Sequence, residues 1–168
     1  MPNAVQLGSA TQRNYALDWP AVLGASLVAG LAFMMIEMAL VALTGGGFWG
    51  PPRMIAAMVL GAEVLPPPAS FDLTVMLAAI AIHMPLSFIY GLVLGWMLSH
   101  VGGSLGRAAL TGSLLGLALY VVNFHLIAPA AFPWFVSSQG WVSSISHAMF
   151  GLILGWAYHW LSFKRAPL

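Results

Sequence analysis

Four long stretches of this chain, residues 21–44, 73–99, 105–128 and 141–163, contain only Glu37 and Arg107 among Asp, Glu, Lys and Arg. A bilayer core about 30 Å thick is crossed by roughly 20 apolar residues in a helix. Backbone polar groups there must be satisfied internally, so spanning segments that are not barrels are helices. The pattern predicts an all-α polytopic membrane four-helix bundle, one transmembrane domain over residues 21–168 behind a polar segment, 1–20. The chain is 61% hydrophobic and 5% charged with a mean hydropathy of +0.93, whereas a soluble domain has about 25% charged residues.

The polar start carries Arg13 and Asp18. The apolar run behind it exceeds the roughly 7–15 residues of a signal h-region, so it reads as a retained first span. Lys plus Arg number 5 against 4 for Asp plus Glu, which leaves no basic footprint for nucleic acid. With no cysteine, disulfides, thiolate chemistry and iron–sulfur clusters are excluded. Any metal would fall to His, Glu, Met or Asn.

The connection 45–72 is long and broken by Gly45-Gly46-Gly47, Pro51-Pro52 and Pro66-Pro67-Pro68, all turn or breaker signals. Inside it, residues 53–61 predict a short interfacial or re-entrant helix, with Pro52 near the first turn, where a missing N–H costs little. Arg13, Arg107, Lys164 and Arg165 fall on one side of the membrane and Arg53 on the other. The positive-inside rule then puts both termini in the cytoplasm. Trp19, Trp49, Trp96, Trp134, Trp141, Trp156 and Trp160 fall mostly near helix ends, as interfacial anchors do.

The chain also matches itself. Residues 89–96 read IYGLVLGW and 149–156 read MFGLILGW, an offset of 60; GLAFMMIEMAL at 30–40 resembles GLALYVVNFHL at 116–126, an offset of 86. Two tandem helical hairpins in the same orientation follow, related by an axis along the membrane normal. In the second span His83, Ser87, Gly91, Gly95 and Ser99 recur every fourth residue, and in the fourth span Ser143, His147, Gly151, Gly155 and His159 do. Residues four apart share a helix face, and small residues there let helices approach closely in lipid. The glycines read first as packing seams; histidines on the same stripes then point inward.

Polar groups inside the spans are costly, about 2.5–3.5 kcal/mol for a central charge on insertion scales, and usually face a bundle interior. Glu37, His83, Asn123 and His147 come one from each span, at depths of roughly 7–15 Å below the non-cytoplasmic face at 1.5 Å per residue, with His125 peripheral. They predict a shared polar site. The leading functional reading is handling of protons or a small ion, since carboxylates and imidazoles in spans mark relays and coupling sites. The alternatives are a haem or metal centre held by His83, His147 and Glu37, with Asn123 or His125 completing it, and a purely structural network in an accessory subunit of a larger complex. No Glu-x-x-His or His-x-x-x-His spacing supports a metal. Met34, Met35, Met38 and Met84 would suit Cu(I), although packing is the commoner use of Met. His100 and His159 read as solvated. Pro85 predicts a kink that frees the Ala81 carbonyl. Arg53 reads as an anchor of the short helix, with capping of the site or a lipid headgroup as the functional alternatives. No nucleophile elbow, phosphate-binding Gly-rich loop or HExxH helix is present, so the chain is not expected to be an enzyme. Its expected partners are the bilayer, copies of itself or a larger membrane complex.

At HMPLS (83–87), VNFH (122–125) through FPW (132–134) and SHAMFG (146–151), the chain resembles the YagU-like small inner-membrane proteins of bacteria over its last three spans. The resemblance implies a His in the second span, a polar residue at Asn123, a His at His147, and a role in acid or envelope stress. Glu37 and the segment 47–60 depart from that pattern. GFWGPPRMIAA at 47–57 is similar to bacterial proteins carrying sodium:proline symporter names. Four spans in a parallel repeat do not match the discontinuous-helix inverted repeats of such transporters.

Overall fold

The computed structural model describes residues 17–101 and 104–163, and among them every regular element is a helix. Arg13, Lys164 and Arg165, on which much of the orientation expectation draws, lie outside the described residues, as does most of the segment 1–20. The long helices are α1 (Trp19–Leu43), α3 (Leu73–Val101), α4 (Leu105–Ala131) and α5 (Trp141–Phe163), with a short α2 (Gly50–Leu60) between the first two. The Asp18 side chain caps α1 by accepting from the Ala21 amide at 3.0 Å, and Asp72 does the same for Val75 at 3.0 Å at the start of α3. Both satisfy amides that a helix start leaves open. Gly45, at φ 89°, turns the chain out of α1, a conformation that glycine adopts without steric cost.

Three helices, Trp19–Leu43, Leu73–His100 and Leu105–Ala131, are long and apolar enough to cross a membrane. Their outward faces carry the large apolar side chains: Leu23, Leu27, Leu31 and Met35 on α1 are each at least half exposed, while Ala25, Ser26, Ala29 and Gly30 are buried. An interior of small and polar residues inside an apolar exterior suits a hydrocarbon surround. The chain is therefore an all-helical membrane protein. The fourth expected span, α5, has the predicted bounds but falls below that apolarity, because it carries Ser143, Ser144, Ser146, His147 and His159. It compensates by position. α5 is packed between α1 and α4, with Ser143, Ser146 and His147 buried.

The glycine stripes are seams, as their spacing predicts. A Cβ at Gly30 would press on Ser87, one at Gly91 on Ser26, and one at Gly95 on Val22, so α3 lies against α1 at these positions. In the other hairpin a Cβ at Gly116 would overlap the His147 carbonyl, one at Gly151 the Gly112 carbonyl, and one at Gly155 the Ala108 carbonyl. There α4 and α5 touch backbone to backbone. By contrast, α3 makes little contact with α4 or α5. One side of the assembly is closed and the other is loosely joined.

α2 is more buried than a surface-lying helix would be. Pro51, Pro52, Ala56 and Ala57 face inward, and Ala56 joins Met34 and Met38 of α1 with Val75 and Ala79 of α3 in an apolar cluster. Met34 and Met38 are thus packing residues, and Met35 faces outward. Arg53 is 8% exposed and donates from Nε to the Ser70 carbonyl at 2.9 Å and from Nη1 to the Val64 carbonyl at 3.1 Å. It pins the connection 61–72 rather than reaching a headgroup or the polar site.

Candidate functional site

A cavity of about 490 Å³ lies beneath α2, between the inner faces of α1, α3, α4 and α5. Glu37, His83, Asn123 and His147 all line it, one from each long helix, together with Phe33, Tyr90, Phe124 and Phe150. His125 does not. It is exposed on α4 with its ring edge against Tyr120 at 5.3 Å between centroids. Residues two apart point to nearly opposite sides of a helix, so a side chain two beyond Asn123 leaves the cavity.

Glu37 is 8% exposed, and its Oε1 accepts from Ser143 Oγ at 2.8 Å, while Oε2 is buried without a partner. Such an orphan is uncommon in folded proteins and requires a reason. His83 Nε2 lies 2.9 Å from the Gly30 carbonyl, and His147 Nδ1 lies 2.8 Å from the Ser143 carbonyl. A carbonyl only accepts, so each of these nitrogens carries the hydrogen. When the rings are neutral, His83 Nδ1 and His147 Nε2 are left as the acceptors. Phe33 stands between the two, stacked on His83 at 5.3 Å and edge-on to His147 at 4.9 Å. Asn123 Oδ1 accepts from the Tyr90 hydroxyl at 3.1 Å, which ties α4 to α3 across the loosely joined side.

Local structure sets these positions. Asn123 sits in a π-helical stretch, Val122–Ile127, interrupting α4. Such bulges occur mostly as single turns and often at functional sites. Gln139 Nε2 donates to the Phe124 carbonyl at 2.5 Å inside this stretch. Pro85 stays within α3, two residues from His83, and its missing N–H leaves the Ala81 carbonyl without its usual helix donor. Trp134 Nε1 donates to the Met54 carbonyl at 3.0 Å, holding α2 over the cavity.

Tyr90 and Ser143 are site residues that the sequence reading did not single out for chemistry. The signal was there in the repeat: Tyr90 stands where its counterpart is Phe150, and Ser143 stands where its counterpart is His83. Polar differences within matched apolar segments mark both. The metal expectation fares differently. Among the described residues no group of three or more His, Asp or Glu is placed to hold a metal ion, so Glu37, His83 and His147 share a cavity without forming a ligand set. Comparison of the chain with family models, with curated proteins and with solved structures finds no match.

Proposed function

We propose that this is a bacterial inner-membrane protein in which all four long helices cross the bilayer, and that its Glu37-centred site handles protons or a small cation. The observation that carries this reading is Glu37, which lines the cavity and keeps one carboxyl oxygen, Oε2, buried with no partner. The described residues that line the cavity include neither Lys nor Arg, so the carboxyl group has no cationic neighbour there to neutralise it. An ionisable group kept inside a membrane at this cost is a functional hypothesis by default. His83 and His147, each with one ring nitrogen held by a carbonyl, supply two further exchangeable groups on the same walls.

Two parallel hairpins are part of the same reading. The contacts Gly30 with Ser87, Ser26 with Gly91 and Val22 with Gly95 in the first hairpin become Gly116 with His147, Gly112 with Gly151 and Ala108 with Gly155 in the second under the sequence offsets of 86 and 60. Convergent apolar sequence has no reason to reproduce three contacts in register, which supports duplication. The resemblance to acid-stress proteins points the same way as the site chemistry. Both termini are placed in the cytoplasm by the charge asymmetry alone.

The test is proton entry into liposomes carrying the purified protein, read with a trapped pH dye. Wild type should exceed empty vesicles, and Glu37→Gln should return the signal to background. A purely structural role would show itself as lower thermal stability of Glu37→Gln with no wild-type flux to lose.

A further inference from the structure

The cavity is much larger than a proton or a bare ion requires. A water molecule takes about 30 Å³ of liquid volume, and sites for small organic molecules span roughly 300–1,000 Å³; this one is about 490 Å³. Its polar groups are few. His83 Nε2, Asn123 Oδ1, His147 Nδ1 and one oxygen of Glu37 are already engaged within the protein, which leaves one nitrogen of each ring and the buried Glu37 Oε2 without a partner. The rings of Phe33, Tyr90, Phe124 and Phe150 line the same cavity. Aromatic faces attract cations, more strongly where water is excluded. The flank between α3 and α4 is loosely joined, whereas α4 and α5 meet in tight seams.

We infer that the cavity takes an organic monocation with an apolar or aromatic body, its charge set against Glu37 and its body among the rings, an assignment that rests on the reading of Glu37 as the exchanging group and names the ion it handles. An inorganic cation would leave the apolar volume unused and would find too few oxygens, since hard cations take about six or more. A neutral apolar molecule would leave Oε2 unsatisfied.

Benzyltrimethylammonium and its uncharged carbon isostere, neopentylbenzene, differ in little but charge and serve as the probe pair. Binding to the purified full-length protein in detergent is measured by ligand-observed NMR against protein-free micelles. The cation should bind saturably to wild type, about tenfold or more weaker to Glu37→Gln, and with retained affinity to Glu37→Asp, which keeps the charge; neopentylbenzene should be indifferent to these substitutions. Monodispersity and helix content of each variant guard against loss of fold. Equal binding of the cation to wild type and Glu37→Gln overturns the assignment. So does absence of cation binding in a protein whose liposomes still show Glu37-dependent proton entry, a result that leaves the proton reading standing. Glu37-dependent cation binding without proton entry does the reverse.

Discussion

Ser143 Oγ donates to Glu37 Oε1 across 2.8 Å, joining two residues 106 positions apart in sequence. The same Ser143 offers its carbonyl to His147 Nδ1. One small residue on α5 thus sets the carboxyl group of α1 and orients the imidazole one turn further along. Its burial to 1% exposure shields both bonds from competing solvent.

Removing that hydroxyl should therefore be felt. Ser143→Ala leaves a buried carboxyl group with neither oxygen bonded, and loss of a buried partner costs about 1–3 kcal/mol. The measurement is thermal unfolding in detergent. Ser144→Ala, whose hydroxyl bonds only to the Gly140 carbonyl beside it, should stay within about 0.5 kcal/mol of wild type. Equal melting of the two variants would refute the proposed weight of the Glu37 contact.

Gly151→Ala should damage the α4–α5 seam. The added Cβ meets the Gly112 backbone, which cannot rotate away as a side chain would. Overpacking of this kind costs about 1–3 kcal/mol. Gly140→Ala meets nothing within 4 Å and is the control. Unfolding of the two variants in detergent, compared side by side, checks the difference.

Arg53→Ala should loosen the connection 61–72 without touching the polar site. It strips the Ser70 and Val64 carbonyls of their donor, and bonds to a charged group contribute about 1.5–3 kcal/mol each. Limited proteolysis of the purified protein should cut faster within 61–72. Arg53→Lys should rescue only in part, because an ammonium lacks the fork that reaches two carbonyls from one side chain.

The absence of cysteine makes topology directly measurable. Glu63→Cys and Ser137→Cys should react with a membrane-impermeant maleimide in intact cells, and Arg107→Cys only after permeabilisation. Lys164→Cys, after α5, decides whether α5 crosses: protection of Lys164→Cys together with Arg107→Cys, with Ser137→Cys labelled like Glu63→Cys, is the outcome that four crossings require. Labelling of Arg107→Cys in intact cells would reverse the orientation.

Much of this site was readable in the linear chain. The period-four stripes put His83 and His147 on buried faces, because spacing by four is a local property of any helix. Glu37 and Asn123 were readable for a similar reason: polar side chains in apolar spans usually face the bundle interior, with the exposed His125 as the exception here. The burial of α2 and the occupation of Arg53 were not readable. Both depend on a connection of irregular backbone whose path no periodicity encodes. His125, read as peripheral to the site, lies two positions beyond Asn123, and that rotation of more than half a turn takes it off the cavity.

Composition and spacing by themselves determined that this chain forms long helices with small and polar residues on their inner faces, since hydrocarbon tolerates no unsatisfied backbone and each helix satisfies its own. Tertiary structure alone decided that the least apolar helix, α5, lies between α1 and α4, that α3 and α4 stand apart, and that a cavity with one unpartnered carboxyl oxygen occupies the gap. The reason is physical. Which faces meet is fixed by how side chains from distant segments interlock, and that information is shared among helices rather than written in any one of them.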